Sequence, residues 1–165
     1  MTAGSFPDRH DQEPGRILKK AKGYALRLFQ SRPRTESELK DRLLEKGYPV
    51  EASLTVIGEF KTLGLVDDQA FAKLWFQSRL RKYGYRRVAR ELADKGVLNE
   101  IIGSEWEKLR GDYDEKAAVR GIAERRLKQY KGIPPLKRRK RLMDYLARRG
   151  FSVAVINEYI GKVNI

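Results

Sequence analysis

Apolar residues recur every three or four positions from Arg16 onward, and strict alternation of apolar and polar residues is almost absent. This spacing is typical of helices that bury one face. One predicted buried stripe contains Leu39 and Leu43, and a second is formed by Phe71, Leu74, Trp75 and Ser78. The pattern predicts an all-α protein.

Signals for helix ends support the same conclusion. Four residues whose side chains cap helix N-termini precede apolar segments, namely Thr35, Asp67, Asp114 and Ser152. Four glycines stand where a helix is predicted to end, namely Gly47, Gly84, Gly96 and Gly150. The first residues of the chain offer few apolar side chains, so we predict a disordered polar tail over residues 1–15.

The chain contains an internal repeat. When Gly47, Gly96 and Gly150 are aligned, a basic residue precedes each glycine and an apolar residue follows it. The positions four and eight residues before the glycines are also apolar: Leu43, Leu92 and Leu146, and Leu39, Val88 and Leu142. Each unit has a further helix upstream of this segment. We therefore predict three repeats of three helices, at 21–66, 67–113 and 114–165.

Repeats of this size have small cores, and stacking them in series covers their outer apolar faces. The predicted architecture is a tandem array of three helix-turn-helix-like repeats, elongated and curved. Such a body offers extended faces rather than one deep pocket, which argues against a small-molecule substrate.

Composition excludes several kinds of site. The chain has no cysteine and one histidine, His10, which excludes disulfides, thiol nucleophiles, cysteine-ligated zinc and histidine-based catalytic triads. Gly-x-Gly and P-loop sequences are also missing. Asp67 and Asp68 are adjacent carboxylates, but helix capping explains them better than a metal site, because no third ligand follows at a fixed offset. We predict no enzymatic activity, no metal and no cofactor.

Membrane association is not predicted either. The longest segment without a charged side chain is residues 150–157, which is far shorter than the roughly 20 residues of a spanning helix. The N-terminus lacks the apolar segment of a secretory signal. We therefore predict a cytoplasmic protein.

Charge is the main pointer to a partner. Lys and Arg number 36 against 22 Asp and Glu, and residues 67–165 carry +11 of the net charge of +14. Such a balance indicates a polyanionic or acidic partner. The repeat-2 cluster is defined as Arg79, Arg81, Lys82, Arg86, Arg87 and Arg90. The repeat-3 cluster is defined as Arg125, Arg126, Lys137, Arg138, Arg139, Lys140 and Arg141.

Both clusters place cations at predicted helix starts, at Arg86 and Arg87 and at residues 137–141. Cations there oppose the helix dipole, at a cost of a few tenths to about 1 kcal/mol each. Repeat 1 has the favourable charges, Glu36 and Glu38, at the equivalent place. Binding of phosphate or carboxylate explains this departure. The alternative is a solvated charge run that keeps a basic protein soluble.

Aromatic residues have two interpretations. Tyr83 and Tyr85 flank Gly84 among arginines, which fits either base stacking on single-stranded DNA or the packing of a turn against a helix end. A second set is assigned to the core by its helical spacing: Phe71, Trp75, Phe76 and Trp106.

Several segments taken together resemble the RecX family of recombination regulators. Residues 64–72 (GLVDDQAFA), 84–88 (GYRRV) and 92–97 (LADKGV) are similar to that family's central repeat. Residues 25–48 are similar to its first repeat, and residues 146–152 (LARRGFS) to its last. The resemblance implies a bacterial cytoplasmic protein that binds the RecA recombinase filament on DNA. It implies inhibition of filament extension, ATP hydrolysis and strand exchange, and thereby regulation of DNA repair, recombination and the SOS response.

The residues by themselves leave a second hypothesis open. A DNA-binding protein or transcription regulator built from helix-turn-helix-like modules would use the same basic clusters on the phosphates of duplex or single-stranded DNA. Its binding would depend steeply on salt, whereas a filament binder is expected to keep its affinity at salt that strips it from naked DNA.

Overall fold

The computed structural model describes residues 13–163. Within these residues the secondary structure is entirely helical, which confirms the predicted all-α class. The helices form three successive groups of three: α1 (Pro14–Ser31), α2 (Glu36–Glu45), α3 (Val50–Thr62), α4 (Asp68–Arg79), α5 (Tyr85–Asp94), α6 (Asn99–Leu109), α7 (Glu115–Leu127), α8 (Pro135–Arg148) and α9 (Val153–Lys162). A 3-10 turn, Lys128–Tyr130, follows α7. The chain divides after Phe71 into two compact units.

Helix α1 begins at Pro14, so the disordered tail predicted for residues 1–15 is wrong at its last two positions. Proline at the first helical position loses no hydrogen bond, and its fixed φ suits the helix. Glu13 is the N-cap of α1, and residues 1–12 of the predicted tail, with His10, lie outside the described residues.

The first unit has its core between α1, α2 and α3. Ala21 and Ala25 on α1 are fully buried, as are Leu39 and Leu43 on α2, which confirms the stripe predicted for α2. These residues form one apolar cluster with the buried residues of α3 and the following loop: Val56, Ile57, Phe60 and Val66. Small alanines on α1 leave room for the larger side chains opposite them.

The start of α2 is capped twice. The Thr35 hydroxyl accepts a hydrogen bond of 3.1 Å from the Glu38 backbone N–H, as the capping box predicts. The Glu36 backbone N–H donates to Asp68 Oδ1 at 2.9 Å, so the first residue of α4 satisfies a second free amide of α2. Asp67 caps its own helix by accepting from the Ala70 N–H at 2.9 Å. The two adjacent carboxylates therefore act on helix ends.

We expect the change Asp68→Ala to destabilise the first unit by about 1 kcal/mol, because it leaves the Glu36 amide without its acceptor. The control Asp68→Asn keeps an acceptor oxygen and is expected to lose only a small part of that stability. Urea unfolding followed by far-UV circular dichroism measures both. An equal loss in the two variants would assign the effect to charge instead of capping.

In the second unit, α4 buries a different stripe from the predicted one. Leu74 is 61% exposed, while Ala72 and Phe76 are fully buried and Leu80 is 7% exposed. The stripe predicted from Phe71, Leu74, Trp75 and Ser78 is therefore wrong by one position, which rotates the buried face by about 100°. The reason is the large Phe76 ring, which stacks with Tyr85 and lies 5.9 Å from the Trp106 ring.

Of the four aromatic residues assigned to the core, only Phe76 is fully buried; Phe71, Trp75 and Trp106 are half-buried. The Tyr85 ring stacks on Trp106 with a centroid separation of 4.4 Å. Trp106 also meets the edge of Tyr113 at 5.7 Å. These contacts support the packing interpretation of Tyr85 over base stacking.

The last three helices have a separate apolar cluster. Its fully or almost fully buried members come from α7, α8 and α9 and the turn before α9, namely Val119, Ile122, Ala123, Leu142, Leu146, Phe151, Ile156 and Ile160. Asp114 and Ser152 cap α7 and α9 as predicted, each accepting from an amide three residues ahead. Local sequence therefore determines where these helices start.

Gly84 does not end a helix, as was predicted, but caps the start of α5 with an extended φ of −76°. Its N–H donates to the Arg149 carbonyl at 2.8 Å. A Cβ on Gly84 would lie 2.2 Å from the Gly150 carbonyl oxygen. The glycine is needed because two backbones meet here, α5 of repeat 2 and the end of α8 in repeat 3. The other three predicted stops are confirmed, with positive φ at Gly47, Gly96 and Gly150.

Candidate binding surface

The repeat-2 cluster is built around the turn between α4 and α5, and two of its arginines are engaged inside the protein. Arg79 binds the Glu91 carboxylate through Nε at 2.9 Å and Nη2 at 3.1 Å. Arg87 donates from Nε to the same carboxylate at 3.2 Å, and Trp75 Nε1 donates at 3.2 Å. Glu91 thus neutralises part of the cluster.

The guanidinium groups of Arg79 and Arg87 also cover Tyr83. Their central carbons lie 4.9 Å and 4.1 Å from the Tyr83 ring centroid. Cations over an aromatic face are attracted by its quadrupole. The Tyr83 ring is therefore occupied by arginines, which leaves less of it for the stacking of a base.

The pKa of the Glu91 carboxyl is set by these contacts. Desolvation raises the pKa of the Glu91 carboxyl, but the hydrogen bonds from Arg79 and Arg87 outweigh it and hold the pKa below its usual value of 4.5. A carboxyl with a lowered pKa in the folded state stabilises the fold above its unfolded pKa. That stability is lost as the pH falls through the lowered pKa.

We expect Glu91→Gln to reduce the free energy of unfolding by about 1 kcal/mol at neutral pH, because the amide keeps an acceptor but loses both ion pairs. The difference from wild type is expected to start shrinking as the pH falls below the usual carboxyl pKa of 4.5, and to vanish only below the lowered pKa of the folded state. Urea unfolding at several pH values measures this. Glu107→Gln is the control, because the Glu107 side chain is 61% exposed and its ion pair is with exposed Arg110. A difference in unfolding free energy between Glu91→Gln and wild type that does not change with pH would contradict the stabilising role of these ion pairs.

The other members of the repeat-2 cluster point to solvent. Arg81, Lys82, Arg86 and Arg90 are exposed, and none of them forms an ion pair among residues 13–163. Arg86 and Arg90 are four residues apart on α5, so they lie on one face of that helix. No acidic residue occupies the first turn of α5.

The repeat-3 cluster also contains both exposed cations and cations that are engaged inside the protein. Lys137, Arg139, Lys140 and Arg141 on α8 are exposed, without an ion pair in the described part of the chain. Arg138 is half-buried and donates from Nη2 to the Ile133 carbonyl at 3.0 Å, so it ties the start of α8 to the preceding turn. The first turn of α8 carries no acidic residue to offset these cations.

Arg125 and Arg126, on α7, differ in their surroundings. Arg125 is exposed and donates from Nε to the Gly121 carbonyl of its own helix at 2.8 Å. Arg126 is half-buried and donates from Nε to Tyr130 Oη at 3.1 Å. Its guanidinium lies 4.5 Å from the Tyr145 ring centroid.

Sequence reasoning missed Arg149, which lies between the two clusters. Its Nη1 donates to the Lys82 carbonyl at 2.9 Å, and its guanidinium lies 4.7 Å from the Tyr145 ring and 5.3 Å from the Tyr83 ring. Arg149 therefore joins the turn of repeat 2 to the end of α8. The sequence shows it only as a basic residue before Gly150, a position that suits the helix dipole and gives no hint of a partner 67 residues away.

No group of three or more His, Cys, Asp or Glu side chains converges on a possible metal position among residues 13–163. None of the helices in that range combines the length and the apolar character needed to cross a bilayer.

Comparison with known proteins identifies the three repeats one by one. Residues 21–60 match the first three-helix domain of RecX, residues 67–104 the second, and residues 112–160 the third. The regulatory protein RecX of Streptomyces lividans is 36% identical over 143 residues, which cover 86% of this chain and 76% of that protein. The regulatory protein RecX of Mycobacterium ulcerans (strain Agy99) is 37% identical over 163 residues, covering 94% and 91%.

Solved structures share the fold. RecX from Lactobacillus salivarius superposes with a TM-score of 0.76 at 19% identity, covering 88% of this chain and 96% of that one. A second structure, of a regulatory protein RecX, gives a TM-score of 0.81 at 20% identity, covering 99% and 83%. With all three domains matched in order and identity above one third over most of its length, this chain belongs to the RecX family of regulatory proteins.

Proposed function

We propose that this protein binds the RecA recombinase filament on DNA and inhibits its extension, its ATP hydrolysis and strand exchange. It would act in the cytoplasm as a regulator of DNA repair and recombination, with weaker affinity for free single- or double-stranded DNA. No small-molecule substrate and no catalytic step is part of the proposal.

The observation that carries the proposal is the set of exposed cations at helix starts in the second unit. Arg86 on α5 and Lys137 on α8 lie in the first turn, where a positive charge costs stability, and neither has a carboxylate partner within residues 13–163. The same destabilising placement of cations in two repeats supports binding to an anionic partner. Membership of a family of regulatory proteins supports a binding role.

A second candidate rests on the same cations. A DNA-binding protein or transcription regulator would use them on phosphates alone, with no need for a recombinase. The two candidates differ in stoichiometry, because a protein that masks DNA must cover it, whereas a filament inhibitor acts at few positions. They also differ in salt dependence, because binding to phosphates alone weakens steeply as the salt concentration rises.

The test is RecA ATP hydrolysis on single-stranded DNA at near-physiological salt, with this protein added well below the recombinase concentration. Inhibition at such ratios is the expected result, because so little protein cannot mask the DNA. Inhibition only near saturation of the DNA, reversed by extra DNA or by salt, would contradict the proposal and favour direct DNA binding.

A further inference from the structure

A basic cavity lies inside the second unit, where the turn after α4 meets α7 and the end of α8. Its volume is about 290 Å³, and its lining includes Lys82, Arg125, Arg126, Gln129, Tyr145 and Arg149. Four of these residues are cations, and none of the lining side chains is a carboxylate. The cations reach the cavity from three separate segments of the chain. The two basic clusters, which are far apart in sequence, therefore meet here.

The protein itself does not neutralise this charge. Across residues 13–163, Lys82, Arg125, Arg126 and Arg149 form no ion pair. Like charges gathered around a partly enclosed space repel one another more strongly than charges in open water, because the effective dielectric constant is lower. An anion in the cavity would remove that repulsion.

The guanidinium groups are held in place before any ligand arrives. Arg126 and Arg149 lie against the Tyr145 ring at 4.5 Å and 4.7 Å. Arg126 Nη1 donates to Gln129 Oε1 at 2.6 Å, and Arg149 Nη1 donates to the Lys82 carbonyl at 2.9 Å. These contacts use only some of the five N–H groups of each arginine. The remaining donors are ordered in advance, which lowers the entropy lost when a ligand binds.

We propose that this cavity binds one phosphate group of a nucleic-acid strand. The inference rests on the proposed function and deepens it, because it assigns this part of the basic surface to the DNA of the filament and not to acidic side chains of the recombinase. A carboxylate presents two oxygens in one plane, which a single arginine fork satisfies. A phosphate is tetrahedral and accepts from several directions, which suits cations that converge from three segments.

The test compares two double variants that remove the same charge from exposed side chains. Lys82→Gln with Arg125→Gln removes two cations of the cavity, and neither side chain holds two segments together. Lys73→Gln with Arg148→Gln is the control, because both side chains are exposed on α4 and α8 but do not line the cavity. Thermal unfolding of the full chain checks that both variants fold.

Fluorescence anisotropy of labelled single-stranded oligothymidylate gives affinity over a range of salt. Relative to the control, the cavity variant is expected to bind about tenfold more weakly, and its slope of log affinity against log salt is expected to be shallower by about 0.7. Equal affinity and slope in the two variants would overturn the inference.

Two competitors identify the source of the anion. Polyglutamate that displaces the oligonucleotide from wild type, but not from the cavity variant, would show a carboxylate site and overturn the inference. Inorganic phosphate, at ionic strength matched with chloride, is expected to leave the difference between the variants unchanged. If it abolishes that difference, the cavity is a site for the free ion and the assignment to a strand is wrong.

RecA ATP hydrolysis with the same variants separates this inference from the proposed function. Wild-type protein that fails to inhibit, while the oligonucleotide results hold, would remove the proposed function and leave the phosphate site. A cavity variant that binds the oligonucleotide like the control but loses inhibition would place the recombinase against the cavity, which overturns the inference and leaves the proposed function.

Discussion

Replacing Gly84 by alanine is expected to destabilise the second unit by about 3 kcal/mol, the upper end of the range for overpacking. The added Cβ would lie 2.2 Å from the Gly150 oxygen and 2.4 Å from its carbonyl carbon. Both are backbone atoms, which cannot rotate away as a side chain would. The turn before α5 would have to move from the end of α8, and the hydrogen bond from Gly84 to Arg149 would lengthen with it.

The matched control is Gly103→Ala, on α6 in the same unit. A Cβ there meets nothing within 4 Å, so the helix propensity of alanine is expected to stabilise the protein by about 0.5 to 1 kcal/mol. Trp75 and Trp106 are the only tryptophans and both lie in the second unit, so their fluorescence during urea unfolding reports on this unit. Wild-type stability in the Gly84 variant would show that the backbone contact is not needed.

The second large effect is expected from reversing two cations at helix starts, Arg86→Glu together with Lys137→Glu. The change is expected to stabilise the protein by a total of about 1 kcal/mol, because it places acids where the helix dipole favours them. It is also expected to weaken filament binding about a hundredfold, since two charged contacts become repulsive. A variant that is more stable but binds more weakly identifies side chains whose charge serves partner binding and not folding.

Thermal unfolding measures the first effect, and half-inhibition of RecA ATP hydrolysis measures the second. The control is Lys73→Glu with Arg120→Glu, which changes the net charge equally at exposed positions outside both clusters and outside the first helical turns. It is expected to alter inhibition only slightly, because distant surface charges are screened by salt. If both double variants inhibit alike, net charge alone matters and the clusters have no specific role.

Local signals in the sequence predicted most of the helical layout. The caps at Thr35, Asp67, Asp114 and Ser152 act within three residues, and the glycines at 47, 96 and 150 need only a left-handed conformation at one position. Interactions over such short separations can be read from spacing. The repeat follows from the same signals recurring in order.

The predictions that proved wrong concern positions where local sequence signals conflict or are absent. On α4 two apolar stripes one residue apart were possible, and only the aromatic partners of Phe76 decide between them. Gly84 looked like a helix end because glycine often ends helices, yet its role depends on a backbone 66 residues further along the chain. Spacing along one segment contains no information about that approach.

In the basic clusters too, the sequence predicted one part and only the tertiary structure decided the rest. Their existence was visible from composition, but the structure separates Arg79 and Arg87, which share Glu91, from Arg86 and Arg90, which face solvent. This distinction could not be predicted, because adjacent arginines on a helix point in directions about 100° apart and only the packed partner reveals which direction is inward. We therefore expect variants of Arg87 to lower stability, because they remove its contacts with Glu91.

By itself the sequence determined the helical class, the threefold repeat, the basic second half and the resemblance to RecX, because each depends on residue type and on short spacings. Only the tertiary structure decided which cations are neutralised, and that Arg149 joins Lys82, Tyr83 and Tyr145 at one junction. Those facts depend on contacts between residues far apart in the chain. Such contacts form only when the repeats pack, and the spacing within any one helix does not encode them.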